Sequence, residues 1–226
     1  MSNSHVFYSL YNNNNKLLPL SFLDDVLTCY GVNKSTNQSL KDEYQEAFTH
    51  SSYVFDKEQY INDNPNANLN YEIESYVDEG VLVELQKTDY NRKEFVGDRL
   101  LETIIVEYLY ERFEDENEGF LTDLKIKLVK KKALAKYSSI LNLSEFILMS
   151  RQHEKNTNRC SAGDLEDVFE ALLFVFYKDL GFETLRLFIR NFLEEEIDWV
   201  QLILGDINYK QAVSYTHLTL PTKRIV

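Results

Sequence analysis

The chain has 226 residues, 44% hydrophobic and 13% aromatic, enough for one sizeable core and a small appendage. No run approaches the roughly 18 apolar residues that a membrane helix needs, and the start MSNSHVFYSL lacks the basic-then-apolar order of a secretion signal. Cys29 and Cys160 are too few for a disulfide framework or a four-thiolate zinc site. An intracellular protein, cytoplasmic or nuclear and not secreted, with reduced thiols and no membrane partner, is therefore expected. The formal charge of −13 runs against nucleic-acid binding, which basic side chains dominate, unless that charge is unevenly spread.

In chain order, the apolar spacing predicts helices over 21–30, 39–48, 92–113, 120–141, 162–179 and 181–200, with a short one near 143–149. No long stretch alternates with period two, so an all-α fold is expected. Asn12 to Asn15 and the stretch INDNPNANLN (61–70) are polar and turn-rich, and read as loop or disordered insertions. Gly181 stands where one helix should stop before the next begins. Residues 54–90 hold nine acids against two bases, whereas residues 120–136 hold six lysines against Asp123 alone. That asymmetry permits a local basic face on an acidic protein.

Two short segments concentrate carboxylates beside apolar stripes. In EFVGDRLLE, Glu94 and Asp98 stand four apart, on one helix face about one turn from each other. In EDVFEALLF, Asp167 and Glu170 stand three apart on a second helix. If the two faces meet, four carboxylates converge, and they need protons or a compensating cation. Hard oxygen donors suit Mg²⁺, with Mn²⁺ as a substitute. A pair of such ions roughly 3.5–4 Å apart can activate water and stabilise a leaving oxygen in phosphodiester cleavage. Either pair alone is ordinary helix-surface decoration. A di-iron carboxylate site would require Glu-x-x-His pairs, and the sequence has none.

The residues around these acids are more specific. EAFTHSSYV (46–54), RKEFVGDRLLE (92–102), the stretch from Gly119 to Ser150 and LEDVFEALLFVFYKDLGFETLRLFI (165–189) resemble, in order, the motifs of the ribonuclease III family. The resemblance implies a ribonuclease III-type helical endonuclease domain over 39–200, after an N-terminal extension and first helix (1–38) and with an acidic insertion at 54–90. It implies a homodimer that cuts double-stranded RNA to 5′-phosphate and 3′-hydroxyl ends. Glu94, Asp98, Asp167 and Glu170 match the metal and catalytic positions, and Phe95 the position that enters the partner subunit. Gly97 reads equally as a close helix or substrate approach and as tight packing alone. Lys125 and Lys127 read as a solvated helix face, and Lys130, Lys131 and Lys132 as phosphate contacts. His50 and Ser51, in THSS, lack an Asp-His-Ser arrangement, and the motif is structural in the family.

The chain departs from the family pattern at Asn91, at Lys93 in place of a leucine, and at Phe174 and Val175 in place of a small pair. These positions bear on substrate placement and helix packing. DINYKQAV (206–213) resembles the opening of a double-stranded RNA-binding domain, so 201–212 is expected to be a linker or its beginning. VSYTHLTLPT (213–222) resembles a translated sequencing adapter, and residues 213–226 are expected to be non-native, with the coding sequence truncated there. The alternative to an active nuclease is a catalytically silent relative that holds RNA or protein through the same fold.

Overall fold

The computed structural model describes residues 10–56 and 82–204. Its α-helices, in chain order, are α1 (Leu20–Cys29), α2 (Lys41–Glu46), α3 (Asn91–Arg112), α4 (Glu118–Val129), α5 (Lys131–Ile140), α6 (Arg151–Thr157), α7 (Ala162–Leu180), α8 (Phe182–Glu196) and α9 (Trp199–Leu204). No strand forms among the described residues; two isolated parallel bridges, Thr49 with Leu148 and Val54 with Gln86, are the extended pairings present. The expected all-α class holds. No helix among these residues is long and apolar enough to cross a membrane.

The centre of the fold is α7. Ser161 opens it by accepting the Asp164 N–H, which satisfies one of the donors a helix start leaves free. Leu165, Val168, Phe169, Ala171, Leu172, Leu173, Val175 and Phe176 are then buried nearly all round it, the pattern of a helix surrounded by others. Gly181, at φ +84°, ends α7 in a backbone conformation that glycine takes without strain, and α8 starts from it. Helix α3 packs along α7 over the longest helix contact in the molecule, with α5 on another side.

Several expected elements differ. The helix expected over 120–141 is two helices, because Lys130 adopts an extended backbone (φ −67°, ψ 144°). Its carbonyl accepts from the Ala133 and Leu134 N–H groups to start α5. The bend lets Leu124 and Leu128 on α4 and Leu134 and Tyr137 on α5 all reach the same core, which a straight helix of that length would not. The segment near 143–149 is a single 3-10 turn (Leu143–Phe146) followed by extended chain, and α6 had no expected counterpart. The stretch expected as 181–200 splits at Ile197 into α8 and α9.

The Asn12 to Asn15 run is a loop, as one of its two readings had it, and an ordered one rather than a disordered insertion. Asn12 and Asn15 are buried, and both side-chain amides donate to the Met149 carbonyl, at 3.2 and 3.0 Å. Amide side chains here satisfy backbone that the sheet-less fold leaves open. Residues 61–70, most of the 54–90 insertion and everything beyond 204 lie outside the described residues. Cys29 and Cys160 are free and exposed.

Lys93, where the family pattern has leucine, is buried, its ammonium 2.5 Å from Glu46 Oε1 and 3.3 Å from Glu43 Oε2. It ties α3 to α2 through charge. Lys93→Leu removes the buried ammonium and leaves Glu43 paired with Lys178 and Glu46 partly open to water, so it is expected to change stability by less than about 1 kcal/mol in urea unfolding. Replacing Glu43 and Glu46 together by alanine strands the ammonium and is expected to cost about 3 kcal/mol. Equal losses in the two variants would refute this account.

Candidate active site

The helices that carry the two acidic pairs touch because Gly97 has no side chain. A Cβ at position 97 would stand 1.8 Å from the Glu170 carbonyl oxygen and 2.5 Å from its carbonyl carbon, so the backbones of α3 and α7 touch there. Of the two readings open for Gly97, close helix approach is the one realised. Glu94 and Asp98 flank the contact on α3, one turn apart; on α7 Glu170 stands at the contact and Asp167 three residues before it.

Electrostatics separates Glu94, Asp167 and Glu170 from decoration, whereas Asp98 pairs with Arg99 at 2.8 Å. Burial first, then the negative charges of Asp98, Glu166, Glu94 and Asp167, push the Glu170 carboxyl up to about 8. Glu94 is raised by burial and by Asp167, Asp98 and Glu166. Asp167 is raised chiefly by burial, partly opposed by a hydrogen bond from Tyr90. Glu102, one turn beyond Asp98 on α3, is the opposite case: Lys125, 2.8 Å away, and Arg99 hold it below the usual glutamate value. Identical residues on one helix thus differ by whether cations meet them.

Four carboxylates on two touching helices, three of them raised by burial and neighbouring negative charge, are hard oxygen donors that could hold a divalent ion. Residues that spacing did not single out complete the surroundings. Buried Tyr90 donates its hydroxyl to Asp167 Oδ2 at 3.3 Å, and burial raises its own proton affinity so that it stays a donor. Glu166 pairs with Lys131 at 2.6 Å. The adjacent acids in EDVFE were the available signal for Glu166; nothing in the sequence marked Tyr90.

His50, His153 and Asp164 form a second cluster behind Tyr90. His153 Nε2 lies 2.9 Å from Asp164 Oδ2 and His50 Nε2 lies 3.7 Å from Oδ1. The rings stack at 3.8 Å, only 22° from parallel, so their in-plane lone pairs do not point at one position where an ion could sit. The Ser52 N–H also donates to His50 Nδ1, leaving Nε2 to carry the proton toward Asp164. The cluster is a carboxylate clamp that fixes the THSS turn, as expected for a structural His50.

The raised Glu170 value has a consequence for stability. A carboxyl whose folded pKa exceeds its unfolded one contributes stability that is complete below the unfolded value and lost as pH rises through the folded one. In chelator, the protein is expected to lose stability between about pH 4.5 and 8, by several kcal/mol in order of magnitude. Glu170→Gln is expected to flatten that slope, and Mg²⁺ to offset it. Melting temperature against pH, wild type beside Glu170→Gln, decides it; parallel profiles in the two proteins would rule the account out.

Of the lysines, Lys125 and Lys127 are half-buried and paired with Glu102 and Asp123, whereas Lys130, Lys131 and Lys132 are exposed at the start of α5. Phe95 is 71% exposed, one residue from Glu94.

The Ribonuclease III domain family matches residues 91–181, a span that includes all four acids. The chain is 28% identical over 205 residues to the Probable ribonuclease 3 of Acanthamoeba polyphaga mimivirus, covering 91% of this chain and 36% of that protein. It is 36% identical over 129 residues to the Ribonuclease 3 of Aliarcobacter butzleri, covering 56% of this chain and 58% of that one. The chain thus spans less than two thirds of the length of either relative. A structure of the nuclease domain of Campylobacter jejuni ribonuclease III, described for flexibility in a region involved in dimer formation, superposes with a TM-score of 0.55 at 25% identity, covering 84% of this chain and 99% of that one. By the matched domain, the helical architecture and these relatives, residues 91–181 are a domain of the ribonuclease III family.

Proposed function

We propose that this chain is an endoribonuclease that cuts double-stranded RNA, with Glu94, Asp98, Asp167 and Glu170 holding Mg²⁺, or Mn²⁺ in its place. The observation that carries this reading is the α3–α7 contact at Gly97, which brings together the two helices that bear the acidic pairs inside a ribonuclease III domain. When bound, Mg²⁺ supplies Lewis acidity that lowers the pKa of water and offsets charge building on the phosphoryl oxygens.

The chain's own residues orient that chemistry. Tyr90 fixes one oxygen of Asp167 and leaves the other without that bond. Lys130, Lys131 and Lys132 present a basic edge to RNA phosphates, which duplex recognition uses more than base edges. Exposed Phe95 offers an apolar contact to a second copy, so that two centres act on the two strands. The products are 5′-phosphate and 3′-hydroxyl ends with short 3′ overhangs.

The test is incubation of the chain with a long end-labelled RNA duplex in Mg²⁺ at low salt, which favours phosphate contacts, beside a single-stranded RNA of the same sequence. Discrete short duplex products with the single strand left intact are expected. A chain that binds the cation and the duplex but leaves the duplex uncut in both Mg²⁺ and Mn²⁺ is a silent relative, and the proposal falls.

A further inference from the structure

We infer that Glu166 is a fifth carboxylate of the acidic centre and Lys131 its resident counterion, so that the two together set how tightly the centre takes up a divalent cation. The inference rests on the proposed metal role of the four acids and adds two residues that lie outside them.

Glu166 immediately precedes Asp167 on α7 and stands four residues before Glu170, a spacing that places it on the same helix face as Glu170. Its side chain is 18% exposed, and its Oε2 lies 2.6 Å from the Lys131 ammonium, reached across from the first residue of α5. Gly163 lies beneath that ammonium, where even a Cβ would come within 3.8 Å of it. The charge of Glu166 is felt by Glu94, Asp167 and Glu170, and Lys131 in turn feels Asp167 and Glu170. The charge of one carboxylate thus acts on three of the four proposed ligands, with one ammonium beside it.

A cation entering the centre gains from the Glu166 charge and is opposed by the Lys131 charge. The two residues should therefore act on cation uptake with opposite signs, although they form one ion pair. A merely structural pair would behave otherwise: breaking it from either side would loosen the α5–α7 contact and weaken uptake both times. Opposite signs are the signature that separates the two roles.

The experiment is a titration of the full chain with Mg²⁺, without RNA, at low salt, read by calorimetry and by the rise in melting temperature. RNA is left out so that a phosphate contact by Lys131 does not enter. Glu166→Gln is expected to weaken the apparent affinity on the order of tenfold, and Lys131→Gln to tighten it about threefold, the lysine being the more solvent-screened of the two. Lys131→Arg keeps the charge and should match wild type. Both effects should shrink as NaCl is raised. The inference is overturned if Glu166→Gln and Lys131→Gln move the affinity in the same direction, or if neither moves it while Asp98→Ala with Glu170→Ala abolishes uptake. Wild-type chain that takes up no Mg²⁺, or a double alanine variant that takes it up normally, would instead overturn the metal role of the four acids and this inference with it.

Discussion

Asp98→Ala combined with Glu170→Ala is expected to lower the proposed duplex RNA cleavage by roughly a thousandfold or more, because on that proposal the lost groups hold the source of several kcal/mol of transition-state charge stabilisation. The conservative change Glu170→Gln sharpens the test, because it should move activity and stability in opposite directions. Glu170 is buried among like charges that raise its carboxyl to about 8, so the amide removes repulsion that the metal-free fold tolerates. Glu170→Gln protein in chelator at pH 8 should therefore melt above wild type while its cleavage rate collapses. A functional group held at a cost to stability behaves this way, whereas a structural acid would lose both together. The measurement is a cleavage time course paired with a thermal melt on the same preparation. Near-normal cleavage by the double alanine variant would remove these residues from the chemistry.

What the sequence made legible is the part of the site encoded by local spacing. Glu94 with Asp98, and Asp167 with Glu170, share a helix face by arithmetic alone. Their meeting is a tertiary event, and the one local hint was Gly97, a residue that a helix interior otherwise disfavours. Glu102 shows the limit of spacing: it continues the same stripe, yet Lys125 from α4 neutralises it, and no pattern within α3 says so. The break at Lys130 was hidden for a related reason. The run LVKKKALA contains no glycine or proline, and the chain turns there because two apolar faces must reach one core. Lys93 looked like an apolar position filled by a charge; its partners, Glu43 and Glu46, lie about fifty residues earlier on α2. Asn12 and Asn15 carried the composition of a loose loop, and only their carbonyl partner at Met149 made them a clasp.

Gly97→Ala sets two known magnitudes against each other. Alanine favours a helix interior over glycine by about 1 kcal/mol, so at an open helical site the substitution would stabilise α3. At position 97 the new methyl group would stand 1.8 Å from the Glu170 carbonyl oxygen, and that neighbour is backbone within a buried helix, with no side chain to swing aside. Helices α3 and α7 must then separate along their longest contact, and overpacking of this kind costs about 3 kcal/mol or more. The clash wins, and Gly97→Ala is expected to unfold at lower urea concentration than wild type, with Gly97→Val lower still. Separation also draws Glu94 and Asp98 away from Asp167 and Glu170, so Mg²⁺ should raise the melting temperature of Gly97→Ala by less than it raises that of wild type. If the alanine variant were instead as stable as wild type and equally responsive to Mg²⁺, the approach of the two helices at this glycine would not be what assembles the four acids.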